Sequence, residues 1–283
     1  MSPAGVAGDP YVYPGSEVLQ NLAGIRDRVV LEQFERRVTS IRMDQLAVSA
    51  PPVKATVEHL QGIHRHIFQD VYAWAGTFRS VNMGRGETQF APVKTPVHDL
   101  RSWGDAVLAS LRREKALLGL ERPQFVERLG HYTEELNFWH PFREGNGRTL
   151  RVFLEQVAVG AGYSIDYTRV TPEAWNGAAA RAQSDSHAFS RVLDGMVTVP
   201  RAIAFDREPR ERALQRFPEL KATYQVLSAM VDRAVSREPS PERRPDIWEE
   251  QKARLSQALH RGVTIDPPRQ AIRGRSVELT QGR

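Results

Sequence analysis

Apolar residues recur at spacings of three and four along most of this chain, and one short stretch breaks the rhythm. That period puts them on one face of an α-helix, and a strand would need alternation instead. Val57, Leu60, Ile63, Ile67, Val71 and Trp74 form such a stripe, which stops at Ala75-Gly76, read as a C-cap. Leu19, Leu22, Val29, Val30, Phe34 and Val38, within Glu17 to Leu46, suggest one or two helices after a disordered start. After Pro96 the stripe Val97, Leu100, Trp103, Val107, Leu108, Leu111 follows. Pro123 then opens a helix buried through Phe125, Leu129, Tyr132 and Leu136. A further helix runs from near Gly147-Arg148 to Gly160, with Leu150, Phe153, Leu154 and Val157 inward, and Thr171-Pro172-Glu173 starts another. The exception is TFRSVNMGRGETQFAPV, residues 77–93, where two short extended arms flank Gly84-Arg85-Gly86 and Pro92 ends the second. That is a β-hairpin, the only strand signal found, and its open edge suits an extended peptide. The fold class expected is all-α: a helical core with a short β-hairpin flap.

With 283 residues, 41% hydrophobic, the chain can bury a core. The absence of cysteine excludes disulfides and thiolate metal sites and points to a reducing cytoplasm. No leader pattern opens the sequence, and no apolar run reaches the roughly 20 residues of a membrane span. The net charge of +5 is uneven: residues 201–283 carry 17 basic and 12 acidic side chains, and residues 1–200 are balanced. So modest a bias is accounted for by solubility and is weak ground for nucleic-acid binding. Two regions are expected: a neutral domain over 1–200 and a helical appendage over 201–283. In the appendage Pro218 and Pro245 open helices, REPSPERRPD (237–246) links them, and a disordered tail follows from Pro267.

The chemistry concentrates in HPFREGNGRTLR, residues 140–151. A helix N-terminus has unpaired N–H groups and partial positive charge, and glycine lets an anion approach the backbone. Gly145-Asn146-Gly147 entering a helix thus reads as an anion cradle. Arg148 and Arg151, three apart on one helix face, offer more donors than one carboxylate needs, which favours a polyphosphate. Glu144 beside such a ligand asks for a hard cation, and Mg²⁺ is the usual one. His140 has the near-neutral basicity to take a proton from a hydroxyl nucleophile. Phe142 is expected in the core, and Arg143 reads as a solvated side chain. Each residue taken alone also has a bland reading: a capping histidine, a turn, a charged helix face.

This stretch resembles the Fic family signature, HPFx[DE]GNGRxxR, at every defined position. Residues 75–93 resemble the family's flap, and DPYVYPGSEVLQNLAGI (9–25) the start of its VbhT-like toxins, so the likeness covers residues 9 to about 198. It implies a Mg²⁺-dependent protein adenylyltransferase that moves AMP from ATP to a Tyr, Thr or Ser hydroxyl. His140 would be the base and Glu144 the Mg²⁺ ligand. Gly145, Asn146 and Gly147 would line the α/β-phosphate hole, and Arg148 and Arg151 would bind the β- and γ-phosphates. Arg85 and Gly86 at the hairpin tip are further candidates for ATP contacts, and the target segment would pair along the hairpin. The family's kinase-like branch has Lys where this chain has Gly147, so Gly147 favours adenylylation.

Many family members inhibit themselves through a helix of pattern [ST]xxxE[GN], whose glutamate engages the second motif arginine. The nearest stretch here, SEVLQN (16–21), has Gln20 in the glutamate's place. The resemblance then implies a toxin whose separate antitoxin supplies a glutamate to Arg151, with the ATPase subunits of DNA gyrase and topoisomerase IV as candidate targets. The alternatives are a translocated effector acting on a host protein, AMP removal or other phosphoryl transfer at the same site, and a non-enzymatic basic adaptor. The filled roles of His140, Glu144, Arg148 and Arg151 weigh against the adaptor.

Overall fold

The computed structural model of the protein describes residues 9–49, 53–85, 88–237 and 243–266. The chain divides into two compact units, 1–198 and 199–283. In the first, α1 (Arg28–Ser49), α2 (Val57–Phe68), α3 (Leu100–Arg113), α4 (Arg122–Trp139), α5 (Asn146–Gly160), α6 (Pro172–Arg181) and α7 (Ala188–Met196) enclose one core. Helix α4 is central, packed on α3, α5 and α7, and α2 lies against both α1 and α5. The fold is helical, as the periodicity implies.

Local chemistry sets the helix boundaries. Thr56 caps α2 through the His59 N–H, and Asp99 and Ser102 form a reciprocal capping box at α3. Pro123 sits in the first turn of α4, and Thr171 caps α6 ahead of Pro172. Val57, Leu60, Ile63, Ile67 and Val71 are all buried. Helix α2 nevertheless stops at Phe68, so residues 69–76 are turns, and Gly76 at φ +83° serves a bend rather than a helix end. The stripe runs on because a packed loop buries Val71 and Tyr72 as fully as a helix would.

The segment expected as helix from Glu17 begins as α1 only at Arg28. Leu22, Val29 and Val30 are exposed, so they belong to no core stripe. Residues 9–27 are an ordered loop held by a Val12–Leu19 bridge and by the buried Asp9. The hairpin is present: β1 (Gly84–Arg85) pairs antiparallel with β2 (Thr88–Gln89), in the register Gly84↔Gln89 and Arg85↔Thr88. Gly84 and Arg85 therefore lie in a strand, not in the turn. Gly86, the other candidate at the tip, lies outside the described residues. A second pair, β3 (Ser164–Ile165) with β4 (Val197–Thr198), escaped the sequence because two-residue strands have no periodicity to read.

The second unit contains α8 (Pro200–Arg207), α9 (Arg210–Arg216), α10 (Leu220–Val235) and α11 (Arg244–His260). Its core includes Phe205, Leu220, Leu227, Leu255 and Leu259, with the Phe205 and Tyr224 rings 5.1 Å apart. Pro245 does open α11, whereas α10 starts two residues after Pro218, and α8 and α9 carried no sequence expectation. The link's middle, 238–242, and the tail from Pro267 lie outside the described residues. Among the described residues no helix is long and apolar enough to cross a membrane.

Candidate active site

The segment 140–151 joins the end of α4 to the start of α5. His140 is the C-cap of α4, in the left-handed conformation (φ 43°, ψ 59°) that glycine usually supplies. Left-handed backbone costs a non-glycine residue roughly 1–2 kcal/mol, and here it turns the imidazole out of the helix. Asn137 accepts a hydrogen bond from His140 Nδ1 at 3.1 Å, which puts the neutral ring's lone pair on Nε2. The Phe90 ring lies flat on the imidazole, centroids 3.6 Å apart and planes 8° apart. Phe90 directly follows β2, so the flap forms one wall around the His140 ring.

The His140 carbonyl is held as well. Arg79, 2% exposed, donates from Nε to His140 O at 2.8 Å, from Nη1 to Val81 O at 2.7 Å, and from Nη2 to Ala91 O. One buried guanidinium thus ties both limbs of the flap to the loop between α4 and α5. Burial without a carboxylate partner pulls its pKa down to about 10, so it remains charged at neutral pH.

The loop is closed at its other end by Asn146. Its Oδ1 accepts from the Phe142 N–H at 2.9 Å and its Nδ2 donates to Phe142 O at 2.7 Å. The carboxamide expected to line a phosphate hole is therefore occupied in shaping the loop, and Asn146 offers an anion its backbone N–H. Gly145, at φ +81°, sits so close to Phe68 that a Cβ would come within 2.2 Å of the ring. Gly147 is exposed, and a Cβ there would meet nothing within 4 Å. The first hydrogen bond of α5 runs from Thr149 N to Gly145 O, so the amides of Asn146, Gly147 and Arg148 have no intrahelical acceptor. They are the amides that the sequence reads as an anion cradle.

Behind it lies His64, fully buried and stacked on Phe142 at 3.9 Å. Its Nδ1 accepts from Gly76 N at 2.8 Å, so Nε2 carries the proton and donates to Glu144 O at 3.0 Å. Burial lowers its pKa to about 4, which keeps it neutral. Phe142 is completely buried, as expected. Arg143 is not solvated: it is 4% exposed and ion-paired with Asp9 at 2.7 Å. Asp9 in turn accepts from Tyr11 N, and the Tyr11 hydroxyl accepts from Ser80 N. The N-terminal loop is thereby fastened to the motif, a contact across more than 130 residues that no local pattern signals.

The two arginines have different surroundings. Arg148 donates to Glu35 Oε1 at 2.5 Å and to Thr39 Oγ1 at 3.1 Å, reaches Glu144 Oε1 at 3.4 Å, and lies 4.7 Å over Phe68. Arg151 sits between Tyr167 and Trp175, 5.6 and 5.7 Å from the ring centroids. Arg151 Nε is buried with no hydrogen-bond partner, and among the described residues no carboxylate pairs with this side chain. Gln20 donates to Pro10 O and Val12 O and braces its own loop.

Glu144 has one oxygen on the Gly145 N–H, and its side chain is partly exposed beside the cradle. No group of three or more His, Cys, Asp or Glu residues with metal-binding geometry occurs among the described residues. A Mg²⁺ that takes one protein carboxylate and completes its shell from phosphates and water fits that donor set; an all-protein cage does not.

Residues 54–158, which contain every motif residue, match the model of the Fic/DOC family. A protein named "Probable protein adenylyltransferase Fic" from Escherichia coli is 36% identical over 195 residues, covering 69% of this chain and 94% of that protein. This chain belongs to the Fic family. It is similar also to "Protein adenylyltransferase VbhT" of Bartonella schoenbuchensis, 41% identical over 164 residues, which cover 58% of this chain but 34% of VbhT. Among solved structures, the N-terminal Fic domain of a VirB-translocated Bep effector protein from Bartonella quintana superimposes with a TM-score of 0.58 at 26% identity. It covers 66% of this chain and 91% of that domain. The Fic chain described here is a protein adenylyltransferase, the enzyme class its curated relatives bear.

Proposed function

We propose that the Fic site of this chain transfers AMP from ATP to a Tyr, Thr or Ser hydroxyl of a target protein, with His140 as the base. The observation that carries this reading is the αL turn at His140. It holds the His140 ring, its Nδ1–H donated to Asn137 O, on the loop that leads into a helix N-terminus whose first three amides lack intrahelical partners. The target hydroxyl loses its proton to His140 Nε2 as its oxygen bonds to the α-phosphorus. The bond from that phosphorus to the bridging oxygen breaks, and pyrophosphate leaves. The amides of Asn146, Gly147 and Arg148 stabilise charge growing on the phosphate oxygens, and Arg151 and Arg148 hold the outlying phosphates. A Mg²⁺ held by Glu144 would supply charge neutralisation across the phosphates.

The target segment adds along the 77–93 hairpin, whose base Arg79 fixes to the catalytic loop. Arg85 in β1 and Gly86 remain proposed ATP contacts from the flap. The reading extends to a toxin held in check by a separate antitoxin that offers a glutamate to Arg151. It is supported by that guanidinium's lack of a carboxylate partner among the described residues and by the likeness to VbhT. The ATPase subunits of DNA gyrase and topoisomerase IV are the candidate targets, and the cytoplasm is the site of action. A translocated effector acting on a host protein is the other assignment consistent with the likeness to Bep effectors.

The test is a bacterial lysate incubated with the protein, Mg²⁺, and ATP labelled at either the α- or the γ-phosphate. Label from the α-position on a protein band is the expected result. Transfer of the γ-label would make the chain a kinase and sink the proposal.

A further inference from the structure

We propose that Glu35 and Thr39 of α1 are positioning residues of the nucleotide site: together they hold the Arg148 guanidinium ready for the outlying phosphates. This rests on the reading of 140–151 as an ATP site and deepens it. Helix α1 has no place in that reading, yet two of its side chains, one turn apart, grip both terminal nitrogens of Arg148. Glu35 Oε1 accepts from Nη2 at 2.5 Å and Thr39 Oγ1 accepts from Nη1 at 3.1 Å. The face of the guanidinium rests on Phe68, 4.7 Å from the ring centroid.

A carboxylate facing a phosphate-binding arginine could be a ligand that the nucleotide must displace. The surroundings of Glu35 argue for a fixed support. Its other oxygen accepts from the Tyr72 hydroxyl, and Tyr72 and Thr39 are each 1% exposed. Burial and the nearby Glu35 charge both push the Tyr72 pKa up, so the hydroxyl stays a donor. Thr39 Oγ1 donates to Glu35 O at 2.8 Å, which closes the ring of contacts. Withdrawing Glu35 would leave a core hydroxyl with no acceptor, so the pair has reason to stay when ligand arrives. The contact that can yield is the marginal one, Arg148 to Glu144 at 3.4 Å, because Glu144 is the residue that would turn to a Mg²⁺. Holding a long side chain in its bound rotamer spares the nucleotide that ordering.

The experiment uses the full chain and its Glu35→Gln variant, whose carboxamide can still accept from Tyr72. Each is titrated calorimetrically with the β,γ-imido analogue of ATP in Mg²⁺, and separately with AMP. The analogue should bind about tenfold more weakly to the variant, with AMP affinity unchanged because AMP lacks the outlying phosphates. In an Arg148→Gln background the Glu35→Gln change should make no further difference. Should Glu35→Gln fold poorly, Thr39→Val is expected to show a smaller loss with the same dependence on Arg148. Unchanged or tighter analogue binding, an equal loss for AMP, or a loss that persists without Arg148 would each overturn the proposal. If the unaltered chain binds neither ligand, the ATP-site reading fails and takes this inference with it.

Discussion

Gly145 and Gly147 flank the same asparagine and answer to different constraints. Gly145 combines φ +81° with a Phe68 ring where its Cβ would go, so Gly145→Ala must strain the backbone and move the ring. We expect it to destabilise the fold by about 2–4 kcal/mol, a left-handed penalty plus overpacking, seen as a lowered urea midpoint. Gly147 has open space around it, so Gly147→Ala should leave that midpoint within about 0.5 kcal/mol of the parent. Any change it makes in transfer then belongs to the ligand. The pattern HPFREGNGRTLR made the chemical types at this site legible, because histidine, acid, glycine and arginine each suit one task there. It could not show how they are held. Arg143 is an arginine in an arginine-rich segment, and only the fold reveals that its partner is Asp9. Likewise Asn146 reads as a ligand by composition, while the structure uses its side chain to close the loop.

Among the elements, the N-terminal loop and the flap converge on the stretch between α4 and α5. Asp9 and Arg143 form a nearly dry ion pair, 2% and 4% exposed, and removing one partner strands the other charge. Asp9→Ala should therefore cost about 3–5 kcal/mol. Thermal unfolding would show this as a lowered midpoint, and an unchanged midpoint would mean that the loop is not fastened there. The hairpin was readable as an element because glycines interrupt a short extended stretch. Its turn is not fixed by the pattern, since the two glycines of Gly84-Arg85-Gly86 do not say which residues pair. The stripe overruns helix α2 for a related reason: a buried loop and a buried helix face present the same apolar residues.

For the molecule as a whole, the periodicity sufficed for the class: a helical core. Strand pairs of two residues and the short helices α8 and α9 lie below what a pattern can show. The buried core makes one global prediction about pH. His64 is neutral in the folded state with its pKa near 4, against about 6.5 when exposed, because burial disfavours the imidazolium. Protonation therefore favours the unfolded chain. The stabilisation is complete above pH 6.5 and is lost as pH falls from there toward 4, by up to about 3 kcal/mol. His64→Asn should flatten the stability profile over that window, as read by denaturant unfolding at several pH values.

The proposed function divides the labour: His140 performs chemistry and the 145–151 cradle performs binding. Transfer from α-labelled ATP and affinity for its β,γ-imido analogue should be measured side by side on the parent chain and on His140→Ala. Transfer should be lost, by a factor of about 10² or more, at unchanged analogue affinity. Transfer persisting at the parent rate, or affinity falling together with it, would contradict that division of labour.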